Sequence, residues 1–226
     1  GIEITREPLV YGHFNALFTT DNNAIHAADC DQSIRNARAQ GAIIMHNHPG
    51  WSRKSVAKTE FEIKAYSEGL VDGIEVVNEA KLYPKMLRRA QDEKLFIAAN
   101  TDTHHPTTQL WPRNGGIFRT MTFILAKDKS EKAIKEALLD RRTIGYCGNY
   151  LMGEQHWLQE FFDAAVDCRV IGADNKSNIY MLTNTCSVPF ALRIGNTVQF
   201  LNPFQAIRLT ISKKQNTSLD FVVDNM

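Results

Sequence analysis

Ala42-Ile43-Ile44-Met45-His46-Asn47-His48-Pro49-Gly50 is the stretch on which the reading of this chain turns. A short apolar run bounded by turn residues is a buried strand. Pro49 ends it, and proline restricts its predecessor to extended backbone, so His48 is expected to project from the strand tip. His46 lies two residues earlier and shares that face if the strand continues. The next strand but one repeats the arrangement: Leu95-Phe96-Ile97-Ala98-Ala99 runs into Thr101-Asp102-Thr103-His104. Asp-x-His at a strand end offers a hard oxygen and a borderline nitrogen to one point, a mix that suits Zn²⁺, Mn²⁺ or Fe²⁺. Capping and loop hydrogen bonds are the plainer use of the same residues.

Outward from these two strands the chain alternates strand-like and helix-like segments from Glu7 to about Asp167. Tyr11 to Thr20 reads as a strand, and Asp31 is the expected N-cap of a helix stopping at Gly41. A helix with Phe61, Ala65 and Tyr66 inward ends near Gly69. Gly73 to Val77 is the next strand, followed by a helix through Met86, Leu87 and Ala90. After a loop with Pro112, Gly115 and Gly116, Arg119 to Ala126 reads as a strand, then a helix from Ser130 to Asp140. A strand near Thr143 to Cys147 and a helix burying Trp157, Leu158, Phe161 and Phe162 close the region. Such alternation predicts an α/β fold, a parallel sheet covered by helices, open or closed into a barrel. In both forms chemistry collects where strands end.

After Cys168 the helical period disappears. Ile179 to Thr183, Phe190 to Ile194, Thr197 to Leu201, Ala206 to Ser212 and Leu219 to Val223 are β-rich, with turn signals such as Gly195-Asn196 and Asn202-Pro203 between them. This predicts a small antiparallel β-sandwich over 169–226, beside an α/β domain over 1–168. Asn216-Thr217-Ser218 fits the glycosylation acceptor pattern, a short and weak signal.

The 226 residues can bury a sizeable core, and a net charge of +1 gives no electrostatic reason to expect nucleic acid or a membrane surface as partner. No apolar run approaches the roughly 20 residues that span a bilayer. The 4 cysteines, Cys30, Cys147, Cys168 and Cys186, are too scattered for a zinc ribbon or redox pair, and are expected to be small buried hydrophobes. Gly1-Ile2-Glu3-Ile4 reads as the middle of a strand, as if the chain were part of something longer. Glu3 in that β-branched setting would be costly to bury unpaired, a cost that a metal or simple exposure would equally remove. His13 follows Gly12 and precedes Phe14, and spacing leaves it equally a ligand or a buried strand residue.

Together, Gly1-Ile2-Glu3-Ile4-Thr5, Gly12-His13-Phe14-Asn15, Asn47-His48-Pro49-Gly50-Trp51, Val71-Asp72-Gly73-Ile74-Glu75-Val76-Val77-Asn78 and Thr101-Asp102-Thr103-His104 resemble the later motifs of the PHP (polymerase and histidinol phosphatase) superfamily. Arg119-Thr120-Met121-Thr122-Phe123, with the His13 and His48 motifs, is similar to the Sphingobium-type phosphodiesterase branch. The resemblance implies a distorted (β/α)7 barrel with two or three divalent ions, Zn, Mn or Fe, at the strand C-termini. It implies that Glu3 is a metal-bridging carboxylate, that His13 and His48 are ligands, and that Asp102 and His104 form the last ligand pair. Asn78 would line the pocket behind them; His46 and His105 match no ligand position.

The family's opening Asp-x-His-x-His motif does not occur here. The resemblance therefore makes 1–168 the C-terminal part of a barrel, whose N-terminal segment would be a partner. The expected activity is hydrolysis of a small phosphate ester, a phosphodiester in particular. Arg119 and Arg53, just past the His48 turn, are candidates to neutralise phosphate charge. The alternative is a degenerate site serving a binding or interaction module. A metal-dependent amidohydrolase fits the His-Pro-Gly turn less well. Relatives in the phosphodiesterase branch are often exported; no residue of this chain reports on compartment.

Overall fold

The structure, a computed structural model, describes residues 1–6, 11–51, 53–110, 118–213, 219 and 221–226. The expected loop residues Pro112, Gly115 and Gly116, and the Asn216-Thr217-Ser218 pattern, lie outside the described residues. The chain forms two compact units, Gly1–Gly148 and Asn149–Met226.

The first unit is a mixed α/β layer structure. Its strands are β1 (Ile2–Thr5), β2 (His13–Leu17), β3 (Ile43–Asn47), β4 (Gly73–Asn78), β5 (Lys81–Leu82), β6 (Phe96–Asn100), β7 (Met121–Ile124) and β8 (Thr143–Cys147). Its helices are α1 (Cys30–Ala39), α2 (Glu60–Ser67), α3 (Pro84–Glu93), α4 (Thr107–Leu110) and α5 (Glu131–Leu139). One sheet runs β1-β2-β3-β4, with β5 and β6 both paired to β4. The expectation of a parallel sheet holds only for its middle: β3, β4 and β6 are parallel, joined by crossovers through α2 and α3. β2 is antiparallel to both of its neighbours, β1 and β3. The short link between β1 and β2 leaves no room for the crossover of about a dozen residues that a parallel pair needs.

The strands β3 and β4 are buried along their whole length, as strands covered on both faces must be. Gly73 is required at the start of β4, because a Cβ there would lie 2.1 Å from the ring of Phe96. The helices start on local signals. Asp29, rather than the expected Asp31, caps α1, because its side chain accepts the Gln32 amide; Asp31 instead pairs with Arg35 one turn on. Thr59 and Glu62 form a reciprocal capping box on α2. Ala65 and Tyr66 are buried as expected and half-buried Phe61 packs on Phe14, but the helix also buries Glu62 completely, which the apolar pattern did not predict. Beyond β6, no backbone ladder among the described residues joins β7 and β8 to this sheet. Thr122 Oγ1 accepts from the Ala99 amide at 2.9 Å and donates to the Ala99 carbonyl at 3.1 Å. Thr143 Oγ1 accepts from the Ile97 amide at 3.2 Å.

The second unit opens with β9 (Tyr150–Gly153) and α6 (Gln155–Ala165). Two three-stranded antiparallel sheets follow. One has the order β10 (Val166–Ala173), β11 (Ser177–Asn184), β14 (Ala206–Ser212); the other has β13 (Thr197–Leu201), β12 (Phe190–Ile194), β15 (Val222–Val223). The sequence reading drew its line after Cys168, where helical periodicity ends, whereas the units part at Gly148. Phe161 and Phe162 of α6 pack on Phe190, and Phe162 also on Phe221, which places the helix with the β-rich residues. Buried Asn184 and Asn225 knit loops to strands: Asn184 donates to the Val188 and Leu201 carbonyls, Asn225 to those of Asn149 and Pro189. The cysteines are free, but of the 4 only Cys30 is buried, which corrects the expectation that all are core residues. No helix among the described residues is long and apolar enough to cross a membrane.

Candidate metal centre

Antiparallel pairing at the sheet edge gathers the first donors. Glu3 on β1 stands opposite Asn15 and His13 opposite Thr5, so Glu3 and His13 are diagonal neighbours on one face. His13 in turn pairs with Asn47, the last residue of β3, and His48 follows immediately. Donor atoms of Glu3, His13 and His48 all lie within 4.8 Å of one another. His13 Nδ1 is 3.4 Å and His48 Nε2 is 3.8 Å from Glu3 Oε1. Among the described residues this is the only group of three or more His, Cys, Asp or Glu side chains close enough to share an ion. Asp102 Oδ2 comes within 3.9 Å of His48 Nε2 from the tip of β6. His104 is exposed on the bend that follows and stays outside the cluster.

The proline was expected to keep His48 extended. Instead His48 has φ +25°, and Asp102 likewise has φ +46°. The turn at His48 is enforced from both sides. Its amide donates to Glu75 Oε2 at 2.6 Å, and its carbonyl accepts the Trp51 amide at 2.8 Å. The turn also parts the two histidines of the motif. His46 stays in the strand, fully buried, stacked on Phe14 and bonded through Nδ1 to the Tyr66 hydroxyl at 2.8 Å. His48 turns to face Glu3.

Electrostatics suit a cation. The hydrogen bond from His48 holds the Glu3 carboxyl below the usual carboxylate range, against its partial burial and with help from Asn47 and His13. Burial opposes a charge on His48, but the carboxylates of Glu3, Glu75 and Asp102 outweigh it and raise its pKa. The Asn47 Oδ1 atom is buried on the pocket wall without a hydrogen-bond partner. One ionised carboxylate, two imidazoles and an orphaned acceptor beside them fit a divalent transition ion. Trp51 touches both imidazoles, tilted against His13 and edge-on to His48, with ring centroids 5.8 Å and 5.5 Å apart.

Of the remaining expected residues, Asn78 and Arg53 lie beside this cluster. Asn78 ends β4 with its Nδ2 at 3.2 Å from Glu75 Oε2 and 3.3 Å from Asp102 Oδ2. Arg53 lines the pocket, but its guanidinium is bonded to Glu62 at 2.5 Å and to the Ala57 carbonyl. Arg119 is exposed, next to Thr120, whose hydroxyl donates to the Glu79 carbonyl just past β4. Sequence reasoning passed over two carboxylates here. Glu62 binds Arg53 beneath the pocket, and Glu75 is buried in β4, where burial raises its pKa against the amides of Asn100, His48 and Asn78. The signal was legible for Glu75: a carboxylate between Ile74 and Val76 in a run otherwise free of charge poses the problem already recognised at Glu3.

The fold matches the crystal structure of a two-domain protein from Bacteroides vulgatus ATCC 8482, described as containing a predicted PHP-like metal-dependent phosphoesterase. The TM-score is 0.89 and the identity 30%, over 99% of this chain and 69% of that one. No protein-family model and no curated protein matches the sequence.

Proposed function

Since the chain belongs to the PHP superfamily of metal-dependent phosphoesterases, we propose that it hydrolyses a small phosphate ester, a phosphodiester by preference, in the manner of the phosphodiesterase branch. The observation that carries this reading is the convergence of Glu3, His13 and His48 within 4.8 Å, with Asp102 at their edge. In the proposal these residues and His104 hold Zn²⁺, Mn²⁺ or Fe²⁺ ions, two or three in the complete centre. Bound there, such ions would neutralise phosphoryl oxygens and make water acidic enough to attack at neutral pH. Glu3 and Asp102 supply the negative charge that retains cations, and His13 and His48 supply neutral nitrogen donors. Trp51 shields the imidazoles from bulk water. Arg119 meets the remaining phosphate charge from the loop beside β4. Arg53, aimed by Glu62, does so from the opposite wall. A centre of two or three ions needs further ligands, which the proposal assigns to another segment of the same barrel. In the same reading residues 169–226 form an accessory β-sandwich domain.

A purified sample given Mn²⁺ or Zn²⁺ should cleave a bis-aryl phosphodiester faster than the matching monoester, and a chelator should abolish turnover. His48→Ala and Asp102→Ala should each lose at least the roughly 100-fold that removal of even an outer partner can cost. Parental rates in both variants would refute the assignment. A degenerate site that binds without catalysis is favoured by one observation: His104 stands apart from the three-donor cluster. Stoichiometric, tightly held metal in the purified chain would count against that second reading.

A further inference from the structure

We propose that Glu75 is the positioning residue of this centre: through the His48 amide and the Asn78 side chain it fixes His48 and Asp102 past the tips of β3 and β6, the two strands that flank its own strand β4. The inference rests on the reading of those two residues as ligands.

Glu75 is 2% exposed in the middle of β4, and among the described residues no lysine or arginine is in ion-pair contact with it. A carboxylate buried without a cation is expensive, and Ile or Val in its place would continue the strand at lower cost. The bonds it accepts explain its presence. Oε2 takes the His48 amide at 2.6 Å and Asn78 Nδ2 at 3.2 Å, while Oε1 takes Asn100 Nδ2 at 2.9 Å. All three donors stand at strand ends on the side where the cluster lies. The short bond to His48 opposes relaxation of a backbone that non-glycine residues seldom adopt. Asn78 passes the restraint on, because the same Nδ2 is 3.3 Å from Asp102 Oδ2. One carboxylate thereby sets the directions of two side chains, His48 and Asp102, that are 54 residues apart in sequence.

The decisive comparison is Glu75→Leu, which keeps the volume and removes the acceptors, with Glu75→Gln, which keeps one acceptor oxygen for His48 and Asn78. Two readouts are needed: the ¹⁵N–¹H resonance of the His48 amide in metal-free protein, and calorimetric titration with Mn²⁺ and Zn²⁺. Glu75→Leu should shift the His48 amide upfield and weaken metal binding by about 10–100-fold. Glu75→Gln should recover most of both. An unmoved His48 amide with parental affinity in Glu75→Leu overturns the proposal. So does a failure of Gln to recover anything, since the charge rather than the placement would then matter. If the parent binds neither ion, the metal reading itself fails, and the His48 amide still decides whether Glu75 positions that residue. Should Glu75→Leu not fold, Asn78→Ala tests the Asp102 arm alone; unchanged metal affinity there would equally overturn the inference.

Discussion

His46 and His48 sit two residues apart and have opposite electrostatic settings. Burial, with Arg89 and Arg53 nearby, depresses the His46 pKa well below 6.5, so the folded chain keeps that imidazole neutral. The unfolded chain takes up a proton there as pH falls through about 6.5, and the folded chain does not. Stability contributed by a neutral His46 is therefore complete above that pH and is lost below it. Urea unfolding between pH 7 and pH 5 should show a slope shallower in His46→Gln than in the parent, by up to about 1.4 kcal/mol per pH unit. Identical slopes would mean that His46 is charged in the fold. Gly12 offers a second test at this scale. It has φ +73°, and a Cβ would lie 3.0 Å from His46 Nε2. Gly12→Ala should cost about 1–3 kcal/mol in chemical denaturation, because strain and crowding act together. Which side chains stand at strand tips was legible in the residues themselves: apolar runs ending at Pro49 or in Asp102-Thr103-His104 announce them. What they touch was not. The Glu75 carboxylate is matched by amides from 27 residues before it and 25 after it in sequence, and no local pattern encodes such a partnership.

At the level of elements, strong local signals carried over well. The helix expected from Ser130 to Asp140 is α5, which Ser130 caps, and β8 spans Thr143–Cys147 as expected. Orientation was less legible, because an apolar run reads the same in either direction; the antiparallel β1 and β2 show this. β10 escaped for another reason. Most of its side chains from Arg169 onward face water, and a bulge near Gly172 breaks the alternation, so the strand leaves no hydrophobic period. The threonine bonds to β6 suggest the test proper to this scale. Thr143→Val keeps the shape and leaves the buried Ile97 amide without its acceptor, which should cost about 1–3 kcal/mol. Hydrogen exchange should show protection lost at Ile97 in that variant, and at Ala99 in Thr122→Val. Retained protection would mean that the hydroxyls are incidental.

For the whole molecule, metal and fold are linked through the first unit. An ion that binds only the folded state at 100 times its Kd should stabilise by about 2.7 kcal/mol. Mn²⁺ or Zn²⁺ should raise the melting temperature and chelation reverse the rise. Exchange protection should increase in residues 1–148, while amides in 149–226 keep their rates. A uniform gain in both units, or none in either, would argue against an ion seated on Glu3, His13 and His48. The threonine bonds beside β6 also bear on how such a molecule diverges. A backbone ladder is blind to side-chain identity and survives almost any substitution along a lineage. Attachment through Thr122 and Thr143 has no such insurance, since a single codon change to valine keeps the packing and deletes the bond. The backbone bonds that pair β3 with β4 would outlast most side-chain changes that keep the strands apolar, whereas the bonds that hold β7 and β8 against β6 last only as long as those two threonines do.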